Sequence, residues 1–594
     1  MPRQAQPAAL APVEMTAAPA AMRLTSDALG RSGSSAALTK LNSALADLKA
    51  LAVAPLLERA VEAIRTEDAK SACDWALKAL EHDEHSGLGW YVLAIGLERA
   101  GDFANSIKAY EAALKLLPDH GEVANDLGRL AFRMGMAPTA EALFRHFLVR
   151  YPDHPEGANN LACAIREQGR FGEAIDVLRP AIVKTPQLPM LWNTMGTIVS
   201  EQGDCTNARI FFEEALRLEP GFAKARHNLA NMKLLLGDAA AALVDCDAAL
   251  GEVTAEEERQ MMRLARSTIL MGVGRIGEGW DEYESRLHPQ FSGRSEFVIN
   301  RRRWEPGFDL AGKSILVVGE QGLGDEVLFA NVLPDLIERL GPTGRLTLAV
   351  ESRLVSLFQR SFPQAVVGAH KTYDIQGRPT RCVHFVEDAS TIDFWTPMAS
   401  LMREFRRSVE VFPARPSFLV AAPSRVAHWR KVLKKAPPGP KVGLLWKSAV
   451  KTDSRQRYYA PFASWAPVLA QKGVTFVNLQ YGDCSEELAA AKDDFGVDIW
   501  TPPGIDLKQD LDEVAALCCA MDLVVGFANA TLNIAAACGV PTFLISVPGA
   551  WTRLGTLTSP WYPACRVFLP PGFGQWDLAM SEVASALGET LRAS

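Results

Sequence analysis

At 594 residues the chain is too long for one hydrophobic core, and two to four domains are expected. Nearly half of it is hydrophobic and about a fifth charged, which excludes a disordered or fibrous class. A formal net charge of −7 gives no general ground for nucleic-acid binding.

From the N-terminus, residues 1–45 read as a flexible tail. They are rich in Ala, Pro, Ser and Thr, and Pro12, Glu14 and Pro19 interrupt any continuous apolar centre of the kind a signal peptide has. No apolar run approaches the ~20 residues of a membrane span. The ten cysteines are scattered without zinc spacing, and even the adjacent Cys518 and Cys519 read as reduced thiols. Together these features predict a cytoplasmic protein.

Residues 46–290 carry an internal repeat. Trp90, Leu93, Ala94, Gly101, Ser106, Tyr110, Ala113 and Pro118 recur 34 residues on as Ala124, Leu127, Gly128, Gly135, Ala140, Phe144, Phe147 and Pro152. Further steps give Leu161, Gly169, Ala174 and Pro186, then Trp192, Gly203, Phe212 and Pro220, then Leu229, Gly237 and Ala242. Small residues let two helices approach, Gly ends the first helix, and Pro ends the second. The pattern resembles the tetratricopeptide repeat and predicts an α-helical superhelix whose concave face holds a protein segment.

After a connector over 291–312, which includes Arg301-Arg302-Arg303, short apolar runs alternate with helical stretches. Strands are predicted at Ser314–Val318, Leu346–Val350, Lys441–Leu445, Val474–Leu479, Leu523–Val525 and Pro541–Ile545, in parallel sheets covered on both faces. The Pro-rich break at 436–440 divides this half into 313–435 and 436–594, two Rossmann-like domains with a cleft between them.

Three turns carry candidate chemistry. The first is Gly319-Glu320-Gln321-Gly322-Leu323-Gly324-Asp325, after a strand and opening a helix, where Gly322 and Gly324 let backbone amides approach an anion. Asp325 reads either as a helix N-cap or as a catalytic carboxylate. The second is Trp446-Lys447-Ser448, followed by Lys451, Arg455 and Arg457. These cations suit a phosphate leaving group, although a solvated basic loop gives the same pattern. The third, Gly526-Phe527-Ala528-Asn529-Ala530-Thr531-Leu532-Asn533, is a further strand–turn–helix seat for phosphate. Asp510 and Asp512 read as an exposed helix start rather than a metal site, and His384 as a structural histidine on a strand.

The GEQGLGD turn, Pro397-Met398-Ala399-Ser400-Leu401, the WKS turn, Asn478-Leu479-Gln480, GFANATLNIAAACGVP and Ser559-Pro560-Trp561-Tyr562-Pro563 occur in an order that resembles bacterial tetratricopeptide proteins with a C-terminal glycosyltransferase domain. These are related to heptosyltransferases and, more distantly, to protein O-GlcNAc transferases. Over about residues 50–590 the layout is most similar to the alphaproteobacterial flagellin (nonulosonic acid) glycosyltransferases.

The resemblance implies a GT-B fold and a metal-independent, inverting enzyme. It would move a sugar such as pseudaminic acid from a nucleotide donor to Ser or Thr of flagellin bound by the repeats, with no further cofactor. Asp325 would be the base, and Gly322, Gly324, Trp446, Lys447, Ser448, Arg455, Arg457, Asn529, Ala530, Thr531 and Asn533 the donor-binding set. The sequence departs from the heptosyltransferase-like pattern in one place: where that pattern has Asp-Thr and a later His, this chain has Ala528, Asn529 and Asn533. Either a different donor, CMP-linked rather than UDP-linked, or a decayed site accounts for the change. The alternative function is therefore a repeat scaffold carrying an inert transferase-like domain. A lipopolysaccharide sugar transferase also explains the fold but leaves the long repeat stack without a role.

Overall fold

A computed structural model describes residues 31–375, 377–448 and 453–593. It contains two compact units, one ending at Ala164 and one beginning at Ile165.

In the first unit a helix already runs from Arg31 to Arg65, so residues 31–45 of the expected tail are helical; residues 1–30 lie outside the described residues. Helix pairs follow at Gly87–Arg99 with Phe103–Leu116 and at Gly121–Arg133 with Ala137–Arg150. The repeat residues do what their sizes predict. Ala94, Ala109 and Ala113 are almost wholly buried, and a methyl group on Gly128 would meet the Phe144 ring at 2.7 Å. Asp102 caps its helix by accepting from Asn105 N. Gly101 and Gly135 sit at positive φ, +81° and +75°, a conformation that stops each first helix without a Cβ penalty.

The second unit opens with the same hairpins, through Pro189–Glu201, Cys205–Leu218, Ala223–Leu235 and Ala239–Glu252 to Glu256–Gly272 and Ile276–Tyr283. Gly169, Gly203 and Gly237 continue the positive-φ series, and Gly196 packs on Phe212 as Gly128 does on Phe144. The last hairpin is built into the α/β body. The Trp280 indole donates to Arg406 O at 2.9 Å, and its ring meets Phe329, Trp551 and Trp561 edge-on at about 6 Å.

Twelve strands are assigned among the described residues: β1 (Glu296–Val298), β2 (Arg302–Arg303), β3 (Ser314–Val318), β4 (Arg345–Val350), β5 (Ala365–Ile375), β6 (Arg378–Val383), β7 (Phe394–Pro397), β8 (Lys441–Leu445), β9 (Thr475–Asn478), β10 (Leu523–Phe527), β11 (Thr542–Ile545) and β12 (Cys565–Phe568). Each of the six expected strands is present within a residue or two. One sheet has the order β1-β6-β5-β4-β3-β7-β2, parallel except for the β5–β6 hairpin, and the other is wholly parallel with the order β12-β11-β10-β8-β9.

Two expectations about boundaries change. The connector is not a linker, because its β1 and β2 close the two edges of the seven-stranded sheet. The chain also reaches the second sheet's helices before the Pro-rich break. Phe418 N bonds Ala537 O, and the helix Pro423–Leu433 packs on Leu511–Cys518 through a 2.8 Å bond from the Trp429 indole to Glu513. The break is only the loop that leads into β8.

Candidate active site

The three turns leave the C-terminal ends of β3, β8 and β10, where an open α/β sheet places ligands. They meet at a cavity of about 870 Å³ that both sheets line, within the range of small-ligand sites.

The first turn is set from beneath. Glu320 is 2% exposed and accepts both arms of the buried Arg286 guanidinium at 2.8 Å, plus Ala399 N at 2.9 Å. Glu326 accepts from Glu351 N at 2.8 Å and contacts His370 Nε2 at 3.0 Å. Gly319 must be glycine, since a Cβ there would meet the Glu326 carboxylate at 2.4 Å. Gly319→Ala is expected to cost about 1–3 kcal/mol and to lower the melting temperature; an unchanged melt would show that Glu326 can swing aside. Gln321 takes φ +60°, an uncommon conformation for a non-glycine residue, at a turn that lines the cavity.

Asp325 is not itself the N-cap. It is the third helical residue after Gly322, and its carboxylate reaches back to accept from Gly322 N at 3.0 Å. It lines the cavity too. Burial raises its pKa; the Gly322 hydrogen bond opposes this, Glu320 and Glu326 add to it, and Arg455 opposes it.

The third turn packs against the first. Asn529 caps the helix Ala530–Ala537 by accepting from Leu532 N at 2.9 Å, and Asn533 donates to Gly324 O at 3.0 Å. A Cβ added to Gly324 would stand 3.5 Å from the Ala530 backbone. The two helix starts therefore face the same space.

Of the predicted set, Gly322, Gly324, Asp325, Ser448, Arg455, Asn529, Ala530 and Asn533 line the cavity. Four do not. The Trp446 ring is 2% exposed and packs in the core against Phe462. Lys447 is turned to Glu487 in an ion pair. Thr531 is buried in the first turn of its helix. Arg457 bonds Ser200 O of a repeat helix and borders a different cavity, of about 540 Å³. Lys451 lies outside the described residues.

The backbone of the WKS turn is held by Gln480, whose Oε1 accepts from both Trp446 N and Lys447 N at 3.0 Å. That gives the Asn-Leu-Gln segment its structural job. Asp510 and Asp512 stand at a helix start, where Asp512 pairs with Arg360. His384 lies one residue past β6 and is exposed, with the Tyr373 hydroxyl at 3.3 Å.

Sequence reading missed Arg381, Tyr459, Tyr481, Trp551, Arg553 and Tyr562, all of which line the cavity. Arg381 comes from the antiparallel arm β6 and donates to Gln321 O at 3.0 Å; no motif surrounds it. Tyr562 belongs to the Ser559–Pro563 segment, which was visible as a pattern but carried no role.

The chain is similar to several known proteins. The tetratricopeptide repeat family matches residues 87–120 and again residues 125–189. Protein FlbA of Caulobacter vibrioides is 50% identical over 561 residues, 94% of each chain. A tetratricopeptide repeat protein of Parabacteroides merdae is 15% identical over 39% of this chain and 92% of its own, with a TM-score of 0.35. A thermophilic TPR protein of Thermus thermophilus is 22% identical over 31% of this chain and 100% of its own, with a TM-score of 0.28.

Proposed function

The chain belongs to the family of protein FlbA, and from that premise we propose that it is a protein O-glycosyltransferase of the GT-B type. It joins a sugar, from a nucleotide donor, to Ser or Thr of a partner held by its tetratricopeptide repeats. The observation that carries this reading is the single cavity in which a half-buried carboxylate, Asp325, faces Arg455 and the start of the helix Ala530–Ala537.

Each part has a role in direct displacement. Asp325 takes the proton from the acceptor hydroxyl as its oxygen forms the new bond to the anomeric carbon. The bond from that carbon to the donor phosphate breaks on the opposite side, which inverts the configuration. Arg455 and the backbone amides of the third turn receive the phosphate's developing charge. The raised pKa of Asp325 makes it a stronger base than an exposed aspartate. Ala528, where the heptosyltransferase-like pattern has Asp, removes a negative charge from the donor side, and Asn529 and Asn533 stand in for its Thr and His, which favours a CMP-linked nonulosonic acid. The partner we propose is flagellin, by the likeness of the layout to flagellin glycosyltransferases.

The test is intact-mass analysis of purified flagellin after incubation with the full chain and CMP-pseudaminic acid. The expected result is a mass gain of whole sugar residues, mapped to Ser or Thr, with release of one CMP per sugar. Unmodified flagellin, with donor left intact, would favour an inert scaffold.

A further inference from the structure

Between β11 and β12 the segment 548–562 forms a strap along the cavity. The Trp561 indole donates to Thr552 O at 2.8 Å, tying its two limbs together. Leu554 and Gly555 turn at φ +52° and +79°, and a Cβ on Gly555 would meet Gly274 N at 2.8 Å, so the turn is pinned to the last repeat hairpin.

Two polar groups of this strap reach the cavity without the partners their chemistry calls for. Arg553 is half-buried and lines the cavity, and its guanidinium donates only to carbonyls, Thr556 O at 2.9 Å and Pro548 O. Its Nε has no hydrogen-bond partner, and no carboxylate among the described residues pairs with it. Burial lowers its pKa. The Tyr562 side chain is 5% exposed, stacked on Phe418 at 6.0 Å and 13°, and its hydroxyl has no partner either. Burial, with Cys565 and Asp325 adding to it, pushes that hydroxyl well above its ordinary range, so it remains a donor. A desolvated guanidinium without a counter-charge marks a place where a ligand brings the anion. Its planar fork suits a carboxylate or phosphate.

We propose that Arg553 and Tyr562 form an oxyanion subsite for a second acidic group of the donor, apart from the nucleotide phosphate held near Arg455. This rests on the nucleotide-sugar reading of the cavity. It narrows that reading to donors with two acidic groups: a sugar that carries a carboxylate, or a nucleoside diphosphate sugar. The Trp561–Thr552 bond and the turn against Gly274 hold the two groups in place.

The test is calorimetry on the full chain with CMP, CMP-N-acetylneuraminate and UDP-N-acetylglucosamine. Arg553→Met is expected to leave CMP affinity unchanged and to weaken a two-anion donor by ~10-fold or more. Tyr562→Phe, which removes only an unpaired hydroxyl, is expected to weaken the same donor ~5-fold, and it carries the test if Arg553→Met fails to fold. Selective loss for CMP-N-acetylneuraminate assigns the subsite to a sugar carboxylate, and selective loss for UDP-N-acetylglucosamine assigns it to a second phosphate. Equal loss for CMP and the donors, or no loss in either variant, overturns the subsite alone. Failure of the wild-type chain to bind any of the three overturns the nucleotide-sugar reading and the subsite with it.

Discussion

Replacing Asp325 by Asn is expected to slow sugar transfer by ~10²-fold or more while leaving donor binding and the fold intact. The amide oxygen of Asn can still accept from Gly322 N, so the helix start is preserved. The electrostatic sign points the same way. A carboxyl whose folded pKa lies above its ordinary 3.8 contributes stability only at low pH, and that contribution is lost as pH rises through the folded value. At neutral pH the Asn variant should therefore melt no lower than wild type. Wild-type turnover should rise with pH through the raised pKa of Asp325 as the base form appears, and the variant should lack that limb. If Asp325 serves only the helix start, Asn keeps that bond and the outcome is normal turnover with an unchanged pH profile. A stopped assay across pH and a thermal melt distinguish the two.

Arg286→Met should have the largest effect on stability. It leaves Glu320 buried and without its guanidinium partner, and removing one member of a buried pair costs about 3–5 kcal/mol. Because Glu320 opens the turn that carries Gly322 and Asp325, donor affinity should fall with it. The deficit should depend on pH through Glu284. Burial alone would raise that carboxyl, but Arg286 and Arg303 outweigh it and hold it at about 2. The stability it contributes is present above its ordinary 4.5 and is lost as pH falls towards 2. Without Arg286 much of that contribution is gone at neutral pH already, so the gap between variant and wild type should narrow on acidification below about 4.5. Thermal melts at neutral and acid pH read this directly; a gap that stays constant would show that Glu284 does not depend on Arg286. The same contacts mean that a chain cut between the repeats and the α/β body would lose Trp280, Arg286 and β1. Tests of acceptor capture therefore belong on the full chain.

How much of this was legible beforehand follows from how local each cause is. The repeat was readable because its determinants recur at a fixed step and act on near neighbours. Gly at 101, 135, 169, 203 and 237 has one job, a left-handed residue after a helix, and the structure has all five at positive φ. The six expected strands were readable because a parallel strand buried on both faces must be continuously apolar. β1, β2, β5, β7 and β12 were missed, and of β6 only a strand around His384 was expected. Most of β5 and much of β6 are exposed or half-buried, and their polar faces hide them among loops.

At the site, sequence determined which turns line the cavity, since Gly after a strand and before a helix is a local signature. It did not determine which side chain of each turn faces in. Trp446 and Lys447 look like ligand groups by type, yet one fills the core and the other meets Glu487, because direction depends on packing by segments far along the chain. Arg286, Arg381, Arg553 and Tyr562 lay beyond reach for the same reason. A lone arginine or tyrosine has no periodicity, and its role arises only where the fold brings it to a buried carboxylate or to the wall of the cavity. Local pattern thus determined the repeats, the parallel sheets and the three turns. The tertiary structure decided which charges are buried, which are paired and which line the cavity, because the energy of a charge depends on the whole shell around it and not on its neighbours in sequence.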